Sequence, residues 1–92
     1  MILIVDDDQA VRGSISLALK RAGYEPYTVN NEADALTAVR DVRMQLAILD
    51  MNLTLSTTGQ QGIELLRKFR VIRPDMPVIM FTAWGTRWLW NR

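Results

Sequence analysis

Two four-residue apolar runs, Ile2-Leu3-Ile4-Val5 and Leu46-Ala47-Ile48-Leu49, each stop abruptly on a carboxylate. Neither alternates apolar with polar residues, so each reads as a strand covered on both faces, as in a parallel sheet between layers of helices. Such a strand carries its terminal acid to the carboxyl edge of the sheet, where open α/β sheets place their ligands. The first run leads into Asp6, Asp7 and Asp8 and the second into Asp50. If the two strands are parallel neighbours, four carboxylates converge.

The rest of the chain supports that arrangement. A helix is expected from about Asp8 to Ala22, with Val11, Ile15, Ala18, Leu19 and Ala22 on one apolar stripe. Asp8 is placed to cap it and Gly23 to end it, so Asp8 is read as a cap rather than a ligand. Glu25 to Val29 reads as a short strand, and Pro26, which cannot donate to a ladder, assigns it to a sheet edge. Asn31 opens a second helix with Glu32 and Asp34 in its first turn and Ala35, Leu36 and Val39 inward. The Gln45 to Asp50 strand follows, then a polar loop from Leu53 to Gln60. A third helix is expected over Gln60 to Ile72, with Ile63, Leu66, Phe69 and Ile72 inward. After Pro74 and Pro77 comes a fourth strand, Val78 to Phe81, ending at Thr82. The order is βαβαβαβ, and alternation of this kind gives parallel strands joined by right-handed crossovers. With the Pro26 strand at an edge, the strand order is 2-1-3-4, and Asp6, Asp7 and Asp50 meet by topology.

Composition narrows the chemistry available to those acids. The chain has 92 residues, enough for one small domain, and a net charge of +1, which gives no bulk attraction to nucleic acid or membrane. It contains no Cys and no His, which excludes thiolate or imidazole metal sites and His-based catalysis. The N-terminal apolar run is too short for a signal or membrane-spanning segment, so a soluble, cytoplasmic protein is expected. Like charges about 4 Å apart cost about 4 kcal/mol at an effective dielectric of about 20, so clustered carboxylates need a counterion. With oxygen ligands alone, a hard divalent cation such as Mg²⁺ fits, commonly held by one or two carboxylates, waters and a phosphate oxygen. A cation there also neutralises an incoming phosphoryl group, leaving a neighbouring carboxylate free to attack phosphorus. Thr82, ending the adjacent strand, could donate its hydroxyl to a phosphoryl oxygen.

The segments ILIVDDD, LAILDMN and PVIMFTA, in this order and spacing, resemble the receiver domains of bacterial two-component response regulators. The similarity extends over residues 1–86. It implies a flavodoxin-like, three-layer α/β fold with Asp50 as phospho-acceptor, Asp6 and Asp7 as the acidic Mg²⁺ pocket, and Asn52 lending its backbone carbonyl to the metal. Thr82 would be the switch hydroxyl and a sensor histidine kinase the phosphodonor. Such a module takes part in its own phosphoryl transfer without being a turnover enzyme. The stretch DMNLTLSTTGQQGIELL together with TAWGT looks most like the receivers of enhancer-binding transcriptional activators.

Against that family, the chain reads as truncated. The family continues through a fourth helix, a fifth strand bearing a Lys and a fifth helix, whereas residues 87–92 (RWLWNR) match none of these. Lys20 and Lys68 lie on expected helices, so neither replaces the strand-end cation, and phosphorylation is expected to be impaired. The fourth strand is expected to have an open edge, which invites pairing with another chain. Trp84, Trp88 and Trp90 all fall in the last nine residues, as an apolar cover or as part of an interchain contact. A homo-oligomer through that edge and tail is therefore expected. Two other functions remain open at this stage. Asp50-Met51-Asn52-Leu53-Thr54 also resembles the nucleophile motif of haloacid-dehalogenase-like phosphatases, although Asn52 stands where that family has its second acid. The chain could also be an inert interaction fragment.

Overall fold

Every residue of the first strand is buried, and its position between two parallel neighbours sets the architecture. The computed structural model describes residues 1–6, 8–50, 60–82 and 85–89, and the backbone alone at positions 50, 60–62, 81, 82 and 85–89. Its elements are β1 (Ile2–Val5), α1 (Gln9–Arg21), β2 (Pro26–Val29), α2 (Glu32–Asp41), β3 (Leu46–Asp50), α3 (Gln60–Ile72), β4 (Val78–Thr82) and β5 (Gly85–Leu89). The sheet order is β2-β1-β3-β4-β5. The first four strands are parallel, in the order 2-1-3-4 expected from Pro26 at the edge.

The edge of β4, expected to be open, is occupied. β5 runs antiparallel along it, from Thr82↔Gly85 to Val78↔Leu89. A parallel fifth strand would require a crossover of a dozen or more residues, which the link between Thr82 and Gly85 does not supply. An antiparallel neighbour needs a link of only two residues, and positions 83–84 are that long. The exposed sheet edge therefore belongs to β5. Trp84 and Trp90 lie outside the described residues.

The core follows from the alternation of side chains along the buried strands. Leu3, Val5, Ala47, Leu49, Val78 and Met80 form one cluster with Ala35, Ala38 and Val39 of α2 and Leu65, Leu66 and Phe69 of α3. Ile2, Ile4 and Ile48 are buried on the opposite face. Right-handed crossovers require this division, because the chain moves one way from β1 to β2 and the other way from β2 to β3 and β4. α1 therefore lies on one face, with α2 and α3 on the other. Ile63, expected inward, is 42 % exposed. Leu65 and Phe69 centre the buried face of α3, and this rotation carries Ile63 to its rim.

α1 departs from expectation more widely. Its stripe contacts β1 and β2, yet no residue of the helix is buried: Ile15 and Leu19 are half-buried, while Val11, Ala18 and Ala22 are exposed. It is the sole helix on its face among the described elements, so it covers the sheet without being covered along its own flank. α2 is held more firmly. The Asn31 side chain caps it by accepting from the Asp34 N–H at 2.8 Å. At its other end, Arg73 Nε and Nη2 donate to the carbonyls of Val39 and Arg40, at 3.1 and 3.3 Å. These bonds reach carbonyls at the negative end of the helix.

The end of α1 carries a specific backbone device. The Tyr24 N–H donates to the Leu19 carbonyl at 2.9 Å and the Gly23 N–H to that of Lys20 at 3.0 Å, the paired bonds of a Schellman cap. Gly23 has φ +91°, a conformation that disfavours any side chain, although the space around it is empty. Gly13, inside α1, also has open space but ordinary helical φ. The two glycines should therefore respond oppositely to the same change. Gly23→Ala is expected to lower stability by about 1–2 kcal/mol, and Gly13→Ala to raise it by about 1 kcal/mol. Shifts of the urea midpoint in opposite directions at constant m-value would confirm this.

Candidate functional site

The acid-bearing ends of β1 and β3 flank the point where the chain reverses its direction across the sheet. β2 lies on one side of β1 and β3 on the other, so α1 and α3, the helices that follow β1 and β3, lie on opposite faces, the switch point at which open α/β sheets form a ligand crevice. The last register pairs are Val5↔Leu49 between β1 and β3 and Asp50↔Phe81 between β3 and β4. Asp6 follows Val5 directly and so comes level with Asp50, on strands that run about 4.8 Å apart. Thr82 ends β4, one residue beyond Phe81. The backbone thus brings Asp6, Asp50 and Thr82 to one sheet edge. Asp7 and Asn52 lie outside the described residues, as does all but the end of the loop expected at 53–60.

Asp6 is 1 % exposed, the one buried charged residue among those described. Burying a carboxylate is costly unless its oxygens are satisfied. Its Oδ1 accepts the Asp8 N–H at 2.8 Å. A hydrogen bond to a charged acceptor contributes about 1.5–3 kcal/mol. The Asp6 N–H donates to the Val29 carbonyl at 3.2 Å, extending the β1–β2 ladder by one residue. Its carbonyl accepts Arg12 Nη1 at 2.7 Å.

Asp8, by contrast, faces solvent and serves the helix. Its Oδ1 accepts the N–H groups of Ala10 at 2.9 Å and Val11 at 3.2 Å, the bonding of an N-cap. The lysines are equally remote from the strand ends. Lys68 pairs with Glu32 of α2 at 2.9 Å, with both side chains about half exposed, a contact worth at most about 1 kcal/mol. Lys20 is exposed in the last turn of α1.

The donor set at this edge is oxygen only, because the chain has no His or Cys. Such a set fits a hard divalent cation. Among the described residues no group of three metal-ligating side chains gathers, since Asp6 is the only expected carboxylate ligand whose side chain is described. Arg12 was not foreseen from the sequence. One signal could have found it, for it places a cation near the N-terminus of a helix, four residues after the Asp8 cap.

Residues 2–89 match the family described as the response regulator receiver domain. The chain belongs to that family. The receiver is 36 % identical over 84 residues to sporulation initiation phosphotransferase F of Bacillus subtilis, covering 91 % of this chain and 64 % of that protein. It therefore spans less than two thirds of that relative's length. A CheY-like receiver domain protein of Methanospirillum hungatei superposes with a TM-score of 0.78 at 35 % identity, over 89 % of this chain and 62 % of that one. The response regulator TrrA of Thermotoga maritima, solved with Mg²⁺-BeF, gives 0.77 at 30 % identity, over 89 % and 68 %. TrrA has also been solved in complex with the histidine kinase ThkA. The receiver family accounts for the chain from β1 to β5, which leaves the phosphatase and inert-fragment readings without support. No helix among the described residues is long and apolar enough to cross a membrane.

Replacing Asp8 with Ala should cost about 0.5–2 kcal/mol of stability, whereas Asn, which keeps the capping oxygen, should stay near wild type. Chemical denaturation of the two variants checks this.

Proposed function

We propose that this receiver accepts a phosphoryl group on Asp50. The observation that carries the reading is the register that sets buried Asp6 beside Asp50, with Thr82 ending the next strand. In this reading Asp6, Asp7 and Asp50 offer carboxylates and Asn52 its backbone carbonyl to Mg²⁺. The Mg²⁺-BeF complex of TrrA supports the choice of a divalent cation. When bound, the cation neutralises charge on the incoming phosphoryl oxygens. A carboxylate oxygen of Asp50 bonds to phosphorus while the bond from phosphorus to the donor breaks, its electron pair leaving with the donor. The product is an acyl phosphate, and the Thr82 hydroxyl is drawn to donate to one of its oxygens.

The donor is a sensor histidine kinase, as the ThkA–TrrA complex supports for a relative, or a small acyl phosphate. The module works in the cytoplasm without turnover and without touching nucleic acid itself. Its likeness around residues 50–66 to enhancer-binding activators favours a transcriptional output. Residues 1–86 form the receiver portion and 87–92 a Trp-rich tail, whose first three residues complete β5. Both lysines of the chain lie on helices.

Intact mass after incubation with Mg²⁺ and a small acyl phosphate donor tests the assignment. One hydroxylamine-labile phosphoryl adduct per chain is expected, absent from Asp50→Asn and from metal-free samples. An adduct that persists in Asp50→Asn would place the acceptor elsewhere.

Self-association belongs to the same proposal, now at the outer edge of β5, which pairs with no other strand among the described residues. Light scattering should show mass rising with concentration; a constant monomer mass would refute it.

A further inference from the structure

The Arg12 side chain spans six residues of sequence to reach a backbone atom beside the acid pocket. Arg12 is half-buried, and its Nη1 donates to the Asp6 carbonyl at 2.7 Å. It lies near the N-terminus of α1, where Asp8 at the N-cap is the acidic side chain that offsets the helix dipole. The contact that holds its guanidinium is the Asp6 carbonyl at the end of β1.

That contact completes a set of constraints on one residue. The Asp6 N–H is held by Val29 of β2, its Oδ1 by the Asp8 N–H and its carbonyl by Arg12. The first bond fixes the strand, the second fixes the carboxylate relative to the loop, and the third ties the peptide between positions 6 and 7 to the body of α1. Without the third, the Asp6 carbonyl could rotate about its Cα–C bond, and the Asp8 amide that Oδ1 accepts would shift relative to the carboxylate. Arg12 also lines a cleft of about 600 Å³ with Thr28, Asn30, Asp34 and Thr37.

We infer that Arg12 is a positioning residue for the divalent-cation pocket, acting through the Asp6 carbonyl to fix the β1–α1 loop rather than touching metal or phosphoryl group. This rests on the proposed Mg²⁺ site. A pure counter-charge role would have the opposite sign, because removing a nearby cation strengthens binding of a divalent ion, whereas loosening the loop weakens it.

The test compares wild type with Arg12→Met, Arg12→Lys and, as a control for the loss of one positive charge from the same helix, Lys20→Met. Mg²⁺ affinity is read by calorimetry. Exchange of the Asp8 amide, which is bonded to Asp6 Oδ1, is read by NMR in metal-free protein, together with the thermal midpoint. Arg12→Met should weaken Mg²⁺ binding about tenfold or more, as outer-shell substitutions do, and should speed exchange of the Asp8 amide selectively over amides of β3. Arg12→Lys should recover part of both effects and Lys20→Met should match wild type. Unchanged or tighter Mg²⁺ binding in Arg12→Met, with Asp8 exchange unaltered, overturns the inference. General acceleration of exchange together with a fallen thermal midpoint would overturn it too, reducing Arg12 to a tie between helix and sheet. If wild type itself binds no Mg²⁺, the metal site fails, and the metal-free exchange still decides whether Arg12 holds the loop.

Discussion

The parallel pairing of β1 with a strand on either side is the constraint from which the rest of the structure follows. Four residues, all buried, can satisfy their backbone groups only if β2 and β3 flank them in register. Both neighbours run in the same direction, so each return connection must cross a face of the sheet. Because the neighbours lie on opposite sides, the crossovers take opposite faces. The crevice at the carboxyl edge is therefore a product of topology before any acid is placed there. Asp6 and Asp50 occupy it because each directly follows an apolar run that the sheet had to bury.

Among the described residues, hydrogen bonds to main-chain groups link the acid end of the sheet to the start of α1. Asp6 bonds the amide of Asp8, Asp8 bonds the amides of Ala10 and Val11, and Arg12 returns to the carbonyl of Asp6. The loop and first turn of α1 thus form a closed circuit in which each link restricts the next. The salt bridge of Lys68 with Glu32 lies between α2 and α3 on the surface and leaves this circuit untouched.

Most of the sheet could be read from the sequence because its signals are local. Unbroken apolar runs marked β1 and β3, Pro26 marked an edge, Asn31 and Gly23 marked helix ends, and the bounds of α3 fell at Gln60 and Ile72. What escaped depends on partners distant in sequence. Ile63 fits the helical period as well as Leu66, and only packing against α2 decides which way α3 turns. The stripe of α1 reads as a buried face, yet how deeply it is covered depends on what lies along its flank. β5 escaped because GTRWL has no alternation to announce it; what makes it a strand is the unpaired edge of β4 beside it. At the site, the acids were visible as types at strand ends. The bond from Arg12 to a backbone carbonyl was not, since no pattern of side-chain types encodes it.

The antiparallel fifth strand bears on how the chain finds its fold. β4 and β5 are joined by two residues, so their pairing closes a very short loop and is available on the hairpin timescale of about 1–10 μs. The pairing of β1 with β3 must first bring Ile2 to Leu46 across two helices and a strand, and that loop closure carries a much larger entropic cost. A hairpin formed early shields one edge of β4 during the slower search and leaves only the other edge for β3. The last residues of the chain therefore act during folding as a one-sided template, reducing the number of wrong registers in which the apolar β4 run can pair.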